Sequence, residues 1–199
     1  RRDRGGVDVT DDSLPMRVGV AGLGAIGMAV ARGLDRGIPG LTLGAVAARN
    51  LDRAHERISG FAYPPEVVRA ADFASCTDVI VECAPASAFR SIAEPALAAG
   101  RVLIPASIGA LLFHEDLIGL AERNGGRIIA PTGALIGLDA VRAAAEDKIA
   151  SVRMVTRKPP ASLAGAPYLA QHYIRLDGLS QPLKIFDGNA RQGAPGFPS

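Results

Sequence analysis

Several shortages set the first bounds on this chain. Cysteine occurs twice, at Cys76 and Cys83. Cys83 falls in an apolar stretch that reads as a buried strand, so a disulfide framework is not expected and a reduced, cytoplasmic setting fits better. Histidine occurs three times, at His55, His114 and His172, each isolated and without metal-ligand spacing to the cysteines, so no metal site is expected. No stretch approaches the ~20 uninterrupted apolar residues needed to span a bilayer, so no membrane association is expected. Neither sign of charge dominates: 22 basic and 20 acidic residues leave a formal net charge of +2. No basic face is evident for nucleic acid or anionic lipid, and a small molecule is the expected partner.

What is present supports a globular fold. The 199 residues are 48% apolar, enough for one full domain and part of another. Residues 1–15 mix Arg1, Arg2 and Arg4 with Asp3, Asp8, Asp11 and Asp12. They lack the apolar core of a secretory signal and read as a disordered leader, with Met16 as a natural start.

From Met16 to about Pro131, apolar strands alternate with helical patterns, the signature of a parallel sheet with crossover helices. The expected strands are Arg17–Ala21, Leu41–Ala47, Asp78–Ala84, Arg101–Ala106 and Arg127–Ala130, with Val67-Val68 as a short strand or one helical turn. The expected helices are Ala25–Arg36, one from Leu51 capped by Asn50, Ala86–Ala99 kinked or restarted at Pro95, and Leu111–Asn124. Beyond Pro131 come a glycine-rich loop, a helix from Leu138 to about Asp147, and β-type patterns at Ile149–Arg157 and Leu183–Phe186. The expected class is α/β: a Rossmann-type doubly wound parallel sheet over 16–131, followed by an incomplete α+β substrate or dimerisation domain over 132–199.

The most informative stretch is Gly22-Leu23-Gly24-Ala25-Ile26-Gly27, a G-x-G-x-x-G between the first strand and helix. Gly22 permits the tight turn, Gly24 lets a pyrophosphate approach the backbone, and Gly27 lets helix and strand pack closely. The amides opening the helix, at Ala25, Ile26 and Gly27, then face the anion. The expected cofactor is NADP or NAD. An NAD site usually places an acidic residue about 20 residues beyond the glycines, to bind the ribose 2′-hydroxyl. Here the chain reads Ala47-Ala48-Arg49. Arg49 either pairs with a 2′-phosphate or is a solvated residue leading into the helix; both readings stay open.

The loops at the carboxyl ends of the strands carry the remaining candidates. Glu82 ends an apolar strand, where its carboxylate needs hydrogen-bond donors. The reading favours a structural role, holding the Ala84-Pro85-Ala86 turn beside the nicotinamide ribose, over proton transfer. Ser107 and Gly109 face the nicotinamide or substrate, or simply shape a turn. Lys158 binds a substrate carboxylate or is solvated. No histidine is favoured as a general acid.

Four stretches together resemble the L-aspartate dehydrogenase family: Gly22 to Gly27, Pro105-Ala106-Ser107-Ile108-Gly109-Ala110-Leu111, Pro131 to Ala140, and Phe186-Asp187-Gly188-Asn189-Ala190 through Phe197-Pro198. Lys158-Pro159-Pro160 fits as well. The resemblance implies NAD(P)-dependent oxidative deamination of L-aspartate to iminoaspartate, which hydrolyses to oxaloacetate or feeds NAD biosynthesis, and it implies a homodimer. It also implies that Ala134 contacts the cofactor. Leu135-Ile136 departs from the family's usual Ile-Gly. The family's cofactor-binding asparagine and catalytic acid/base histidine would fall beyond Ser199, so the catalytic residue is unknown and the chain by itself is expected to be nearly inactive. Alternatives are a related oxidoreductase of the homoserine dehydrogenase or dihydrodipicolinate reductase type, the latter with a paired-histidine motif absent here, and a non-catalytic dinucleotide sensor.

Overall fold

The computed structural model describes residues 14–132 and 137–197. Its centre is a six-stranded, wholly parallel sheet in the order β3-β2-β1-β4-β5-β6. In chain order, β1 (Met16–Ala21) leads to α1 (Ala25–Asp35), β2 (Leu41–Ala47) to α2 (Leu51–Ile58), and β3 (Glu66–Val68) to α3 (Phe73–Cys76). Then β4 (Val79–Glu82) leads to α4 (Phe89–Ala98), and β5 (Val102–Pro105) to α5 (Ile108–Leu111), α6 (Asp116–Asn124) and β6 (Arg127–Ile128). The strand order reverses between β1 and β4, the switch point where such sheets open a crevice.

Parallel strands are covered on both faces, and the side-chain alternation shows it. Ala21, Ala45, Ala47, Ile80 and Leu103 point to one face, where Phe73, Phe89, Ile92, Leu97 and Leu117 from α3, α4 and α6 cover them. Val18, Val20, Leu43, Val46 and Val79 point to the other, under Ala31 and Leu34 of α1 and Ala54 and Ile58 of α2. Each fully buried Phe, Leu or Ile contributes about 1.5–3 kcal/mol, so these two layers hold the strand ends in place.

Helix ends follow local chemistry. The Asn50 side chain accepts from the Arg53 amide at 2.9 Å, capping α2 as its residue type predicts. Gly125 closes α6 with φ of +69°.

Several expectations need correction. The helix expected over Leu111–Asn124 is two helices, because i,i+3 bonds from Phe113 to Ala110 and from His114 to Leu111 tighten the chain between them. The helix expected from Ala86 begins as a 3₁₀ turn, and α4 proper starts at Phe89 and runs through Pro95 without ending there. The third strand does form at Glu66–Val68, pairing in parallel with β2.

Beyond Pro131, α7 spans Leu138–Ala144, α8 Pro167–Gln171 and α9 Ala190–Gly193. The strands expected at 149–157 and 183–186 are absent: neither segment joins a ladder, and a strand exists only through bonds to a neighbour. An aromatic cluster holds this part together: the Tyr168 ring lies 5.1 Å from Phe197 and 5.5 Å from Phe186.

Candidate functional site

Backbone bonds align the carboxyl ends of the four central strands. The Gly22 amide donates to Ala47 O at 2.8 Å, the Cys83 amide to Ala21 O at 2.8 Å, and the Ala106 amide to Glu82 O at 2.7 Å. The loops after β1, β2, β4 and β5 therefore emerge together at one edge.

The glycine turn stands at the centre of that edge, and its three glycines have different surroundings. Gly22 has φ of +90°, and a Cβ there would meet Cys83 O at 2.8 Å. A Cβ on Gly27 would overlap the Gly22 carbonyl oxygen. Around Gly24 a Cβ would meet nothing within 4 Å. The fold itself therefore needs glycine at 22 and 27, whereas position 24 opens onto free space.

Gly24 is also the N-cap of α1, with no side-chain cap and no acidic residue in the first turn. Helix geometry leaves the amides of the first turn without intrahelical partners, so they face outward with the positive end of the helix dipole. Ala25 and Ile26 are exposed beside them, Ile26 by 61%. An uncapped, uncharged helix start with room at its N-cap fits an anionic diphosphate.

Arg49 is exposed immediately after β2 and follows no carboxylate. Sequence reasoning missed a second arginine at this turn: the Arg57 guanidinium, reaching from α2, donates to the carbonyl oxygen of Leu23 inside the glycine turn. Only the crossover geometry reveals this contact, because 34 residues separate the two.

On the other side of the switch point lies Glu82, fully buried at the end of β4. One carboxylate oxygen accepts from the Ala84 amide at 2.8 Å and the Ser107 hydroxyl at 3.2 Å. The second accepts from the Ser107 amide at 3.2 Å. Burial pushes this carboxyl up from its ordinary range, and the bonds from Ser107 and Ala84 pull the other way. Burial likewise pushes the Cys83 thiol up to about 11, with the Glu82 charge adding to it, so the thiol stays protonated at neutral pH. Strand β4 ends at Glu82, so Cys83 lies just past the strand in which it was expected; both cysteines are free.

Ala84 is half-buried and Pro85 exposed in the loop leading to α4, while Ser107 is buried and Gly109 half-buried after β5. The carboxyl-terminal part approaches here. A Cβ on Gly109 would lie 3.5 Å from Ala194, and Arg191 donates to Leu112 O at 2.7 Å while pairing with Glu115 at 2.6 Å. The structure does not bring Lys158 to this edge. It is exposed beside a shallow cavity of about 290 Å³ formed with Pro160, Leu163, Ser180 and Leu183, all from the same carboxyl-terminal part. Ala134 lies outside the described residues. His114 stacks on Phe89 at 5.8 Å, the exposed His172 lies tilted against Tyr168 at 4.0 Å, and His55 is exposed on α2.

Comparison with known proteins agrees with this architecture. A family model described as "Homoserine dehydrogenase, NAD binding domain" matches residues 22–131, and one described as "Aspartate dehydrogenase, C-terminal" matches 139–199. Among solved structures, a homoserine dehydrogenase from Thiobacillus denitrificans superposes with a TM-score of 0.50 at 23% identity, covering 58% of this chain and 29% of that one. The myo-inositol 2-dehydrogenase from Lactobacillus plantarum gives 0.50 at 18%, covering 59% and 36%. These two likenesses establish the fold alone. Fold and matched domain together define an NAD-binding domain of the Rossmann type.

Relatives narrow the class. The L-aspartate dehydrogenase of Bradyrhizobium diazoefficiens is 49% identical over 187 residues, spanning 94% of this chain and 66% of the relative. L-aspartate dehydrogenase 3 of Bordetella bronchiseptica is 46% identical, spanning 92% and 67%. The chain belongs to the L-aspartate dehydrogenase family, and it spans about two thirds of the length of these curated relatives.

Proposed function

We propose that this chain carries the nucleotide-binding part of an enzyme that oxidatively deaminates L-aspartate with NAD or NADP. The observation that carries the nucleotide reading is the open, uncapped start of α1 at Gly24, in a turn whose other two glycines are required by packing. Membership of the L-aspartate dehydrogenase family supports the substrate.

In this reading the amides of Ala25, Ile26 and Gly27 hold the pyrophosphate, with Gly22 and Gly24 shaping its approach. The adenosine half lies toward β2, where Arg49 pairs with a 2′-phosphate. The nicotinamide half lies toward Ala84 and Pro85, and Ser107 and Gly109 border the substrate. Ala134 belongs to the cofactor site by family resemblance. When bound, the nicotinamide ring supplies the hydride acceptor for the Cα–H of the amino acid. The chain's part is to orient the ring and shield it from water. The division at residue 131 into a dinucleotide-binding part (16–131) and a substrate or dimerisation part (132–199) is supported by the two family-model spans. A homodimer, a cytoplasmic setting and a role in NAD biosynthesis complete the proposal. No helix among the described residues is long and apolar enough to cross a membrane.

The test has two stages. Calorimetric titration with NADH and NADPH is expected to give saturable binding to at least one of them, and binding to neither overturns the nucleotide reading. L-aspartate-dependent reduction of the nucleotide is then measured on a fusion supplying the part of the Bradyrhizobium relative outside the match. Bound nucleotide without aspartate turnover in that fusion would leave a dinucleotide sensor as the better reading.

A further inference from the structure

Resting on the nucleotide reading above, we infer that Glu82 is a positioning residue that latches the β4 and β5 loops together and thereby shapes the nicotinamide half of the dinucleotide site.

Glu82 has no exposed surface, yet no basic side chain hydrogen-bonds its carboxylate among the described residues. Its compensation comes from neutral donors on two separate loops: the Ala84 amide after β4, and the amide and hydroxyl of Ser107 after β5. The Ser107 hydroxyl oxygen also lies 3.2 Å from the Ala84 carbonyl oxygen, so the Ser107 side chain touches both the Glu82 carboxylate and the main chain of the β4 loop. A buried carboxylate is a costly way to join two strands that main-chain bonds already pair from Val79↔Val102 to Glu82↔Pro105. Its distinct effect lies beyond the last main-chain bond between them, from the Ala106 amide to Glu82 O, past which no backbone bond joins the two loops among the described residues.

Position assigns that effect to one half of the ligand. Dinucleotides lie across the switch point with the adenosine ribose toward β2, so the nicotinamide half lies over β4 and β5. The latch is on the β4–β5 side, whereas the glycine turn and Arg49 lie on the other. Loosening it widens the nicotinamide side while the diphosphate cradle keeps its shape.

Glu82→Gln tests the inference because it keeps size and removes one acceptor. Whichever way the amide is turned, its NH₂ group faces either the Ala84 amide or the Ser107 amide, donor against donor. NADH probes the whole site, and ADP, which lacks both the second ribose and the nicotinamide, probes the adenosine and glycine-turn half alone. The expected result for E82Q is a Kd for NADH raised about tenfold, with ADP within about twofold of the parent chain. Equal loss for both ligands, or loss for neither, overturns the latch. Ser107→Ala removes only the hydroxyl and serves as the judge where E82Q does not fold. There the same split is expected at about threefold, and its absence counts against the inference. If the parent chain binds neither ADP nor NADH, the nucleotide reading itself has failed; if it binds both and the variants show no split, only the latch has.

Discussion

Gly24 and Gly27 are three residues apart in one turn and carry opposite predictions. Gly27→Ala forces a methyl group into the Gly22 carbonyl, so the fold is expected to lose about 3 kcal/mol, read as a lower thermal midpoint. Gly24→Ala meets nothing in the protein and keeps an allowed backbone, φ −69° and ψ −160°. Its stability is expected to change by less than about 1 kcal/mol while NADH affinity falls at least tenfold, because the methyl group occupies the diphosphate's place. A stable Gly24→Ala variant that binds NADH normally would remove the main support for the cradle. Arg49 makes a second prediction at this scale. Arg49→Ala is expected to weaken NADPH about tenfold and NADH little, since a guanidinium rewards the extra phosphate and not a hydroxyl. A strong NADH preference in the parent chain would remove Arg49 from the phosphate site.

Among the elements, β1, β4 and β5 are tied at their amino ends by Asp78, on the opposite edge of the sheet from the site. Its carboxylate accepts from the Arg17 side chain at 2.8 and 3.1 Å and from the Arg17 amide at 2.9 Å, with Arg101 at 3.5 Å. These partners, Arg17 foremost, hold Asp78 down to about 2. A depressed carboxyl stabilises the fold fully above its unfolded value, near 3.9, and that contribution is lost as pH falls through about 2. A third of the side chain is exposed, so screening reduces the contribution to about 1 kcal/mol. Asp78→Asn is expected to lower the thermal midpoint at neutral pH, to converge with the parent as pH approaches 2, and to leave NADH affinity unchanged. Differences that persist undiminished in acid would mean that packing, not charge, holds this corner. Four of the expected strands were legible because each is an apolar run ended by glycine, proline or a polar turn and is mostly buried in the sheet, whereas the fifth, Arg127–Ala130, forms only over Arg127–Ile128 at the sheet's edge and leaves Ile129 45% exposed. β3 was obscured because Pro64-Pro65 breaks the pattern just before a strand of only three residues. At 149–157 and 183–186 the sequence alternates as a strand does, yet alternation reports which side chains prefer a pleated surface and cannot supply the neighbour that makes a ladder. The glycine turn was legible as a local pattern. The Glu82–Ser107 pair and the Arg57 contact join residues 25 and 34 apart, so only the folded sheet brings them together.

At the scale of the whole molecule, the two parts differ in how well their apolar side chains are covered. Residues 16–128 bury two apolar layers around the sheet, whereas Val152, Met154 and Val155 stand more than 60% exposed within four residues of chain, with Ile149 close by. Exposed apolar residues scattered singly are ordinary, whereas several close together in one segment are a feature of surfaces that bind a partner. The proposed homodimer supplies such a cover, as two copies of one segment can pair about a twofold axis. Sedimentation of the chain is therefore expected to show a dimer that dissociates on dilution. The double variant Val152→Asp, Met154→Asp is expected to stay monomeric at concentrations where the parent is dimeric, because each charge must be desolvated without a partner. NADH affinity should hold within about twofold in that variant, since the glycine turn belongs to the sheet and not to this segment. A parent chain that is monomeric at every concentration removes this segment as the dimer contact, and a variant that loses nucleotide binding along with dimerisation shows instead that the two parts fold as one unit.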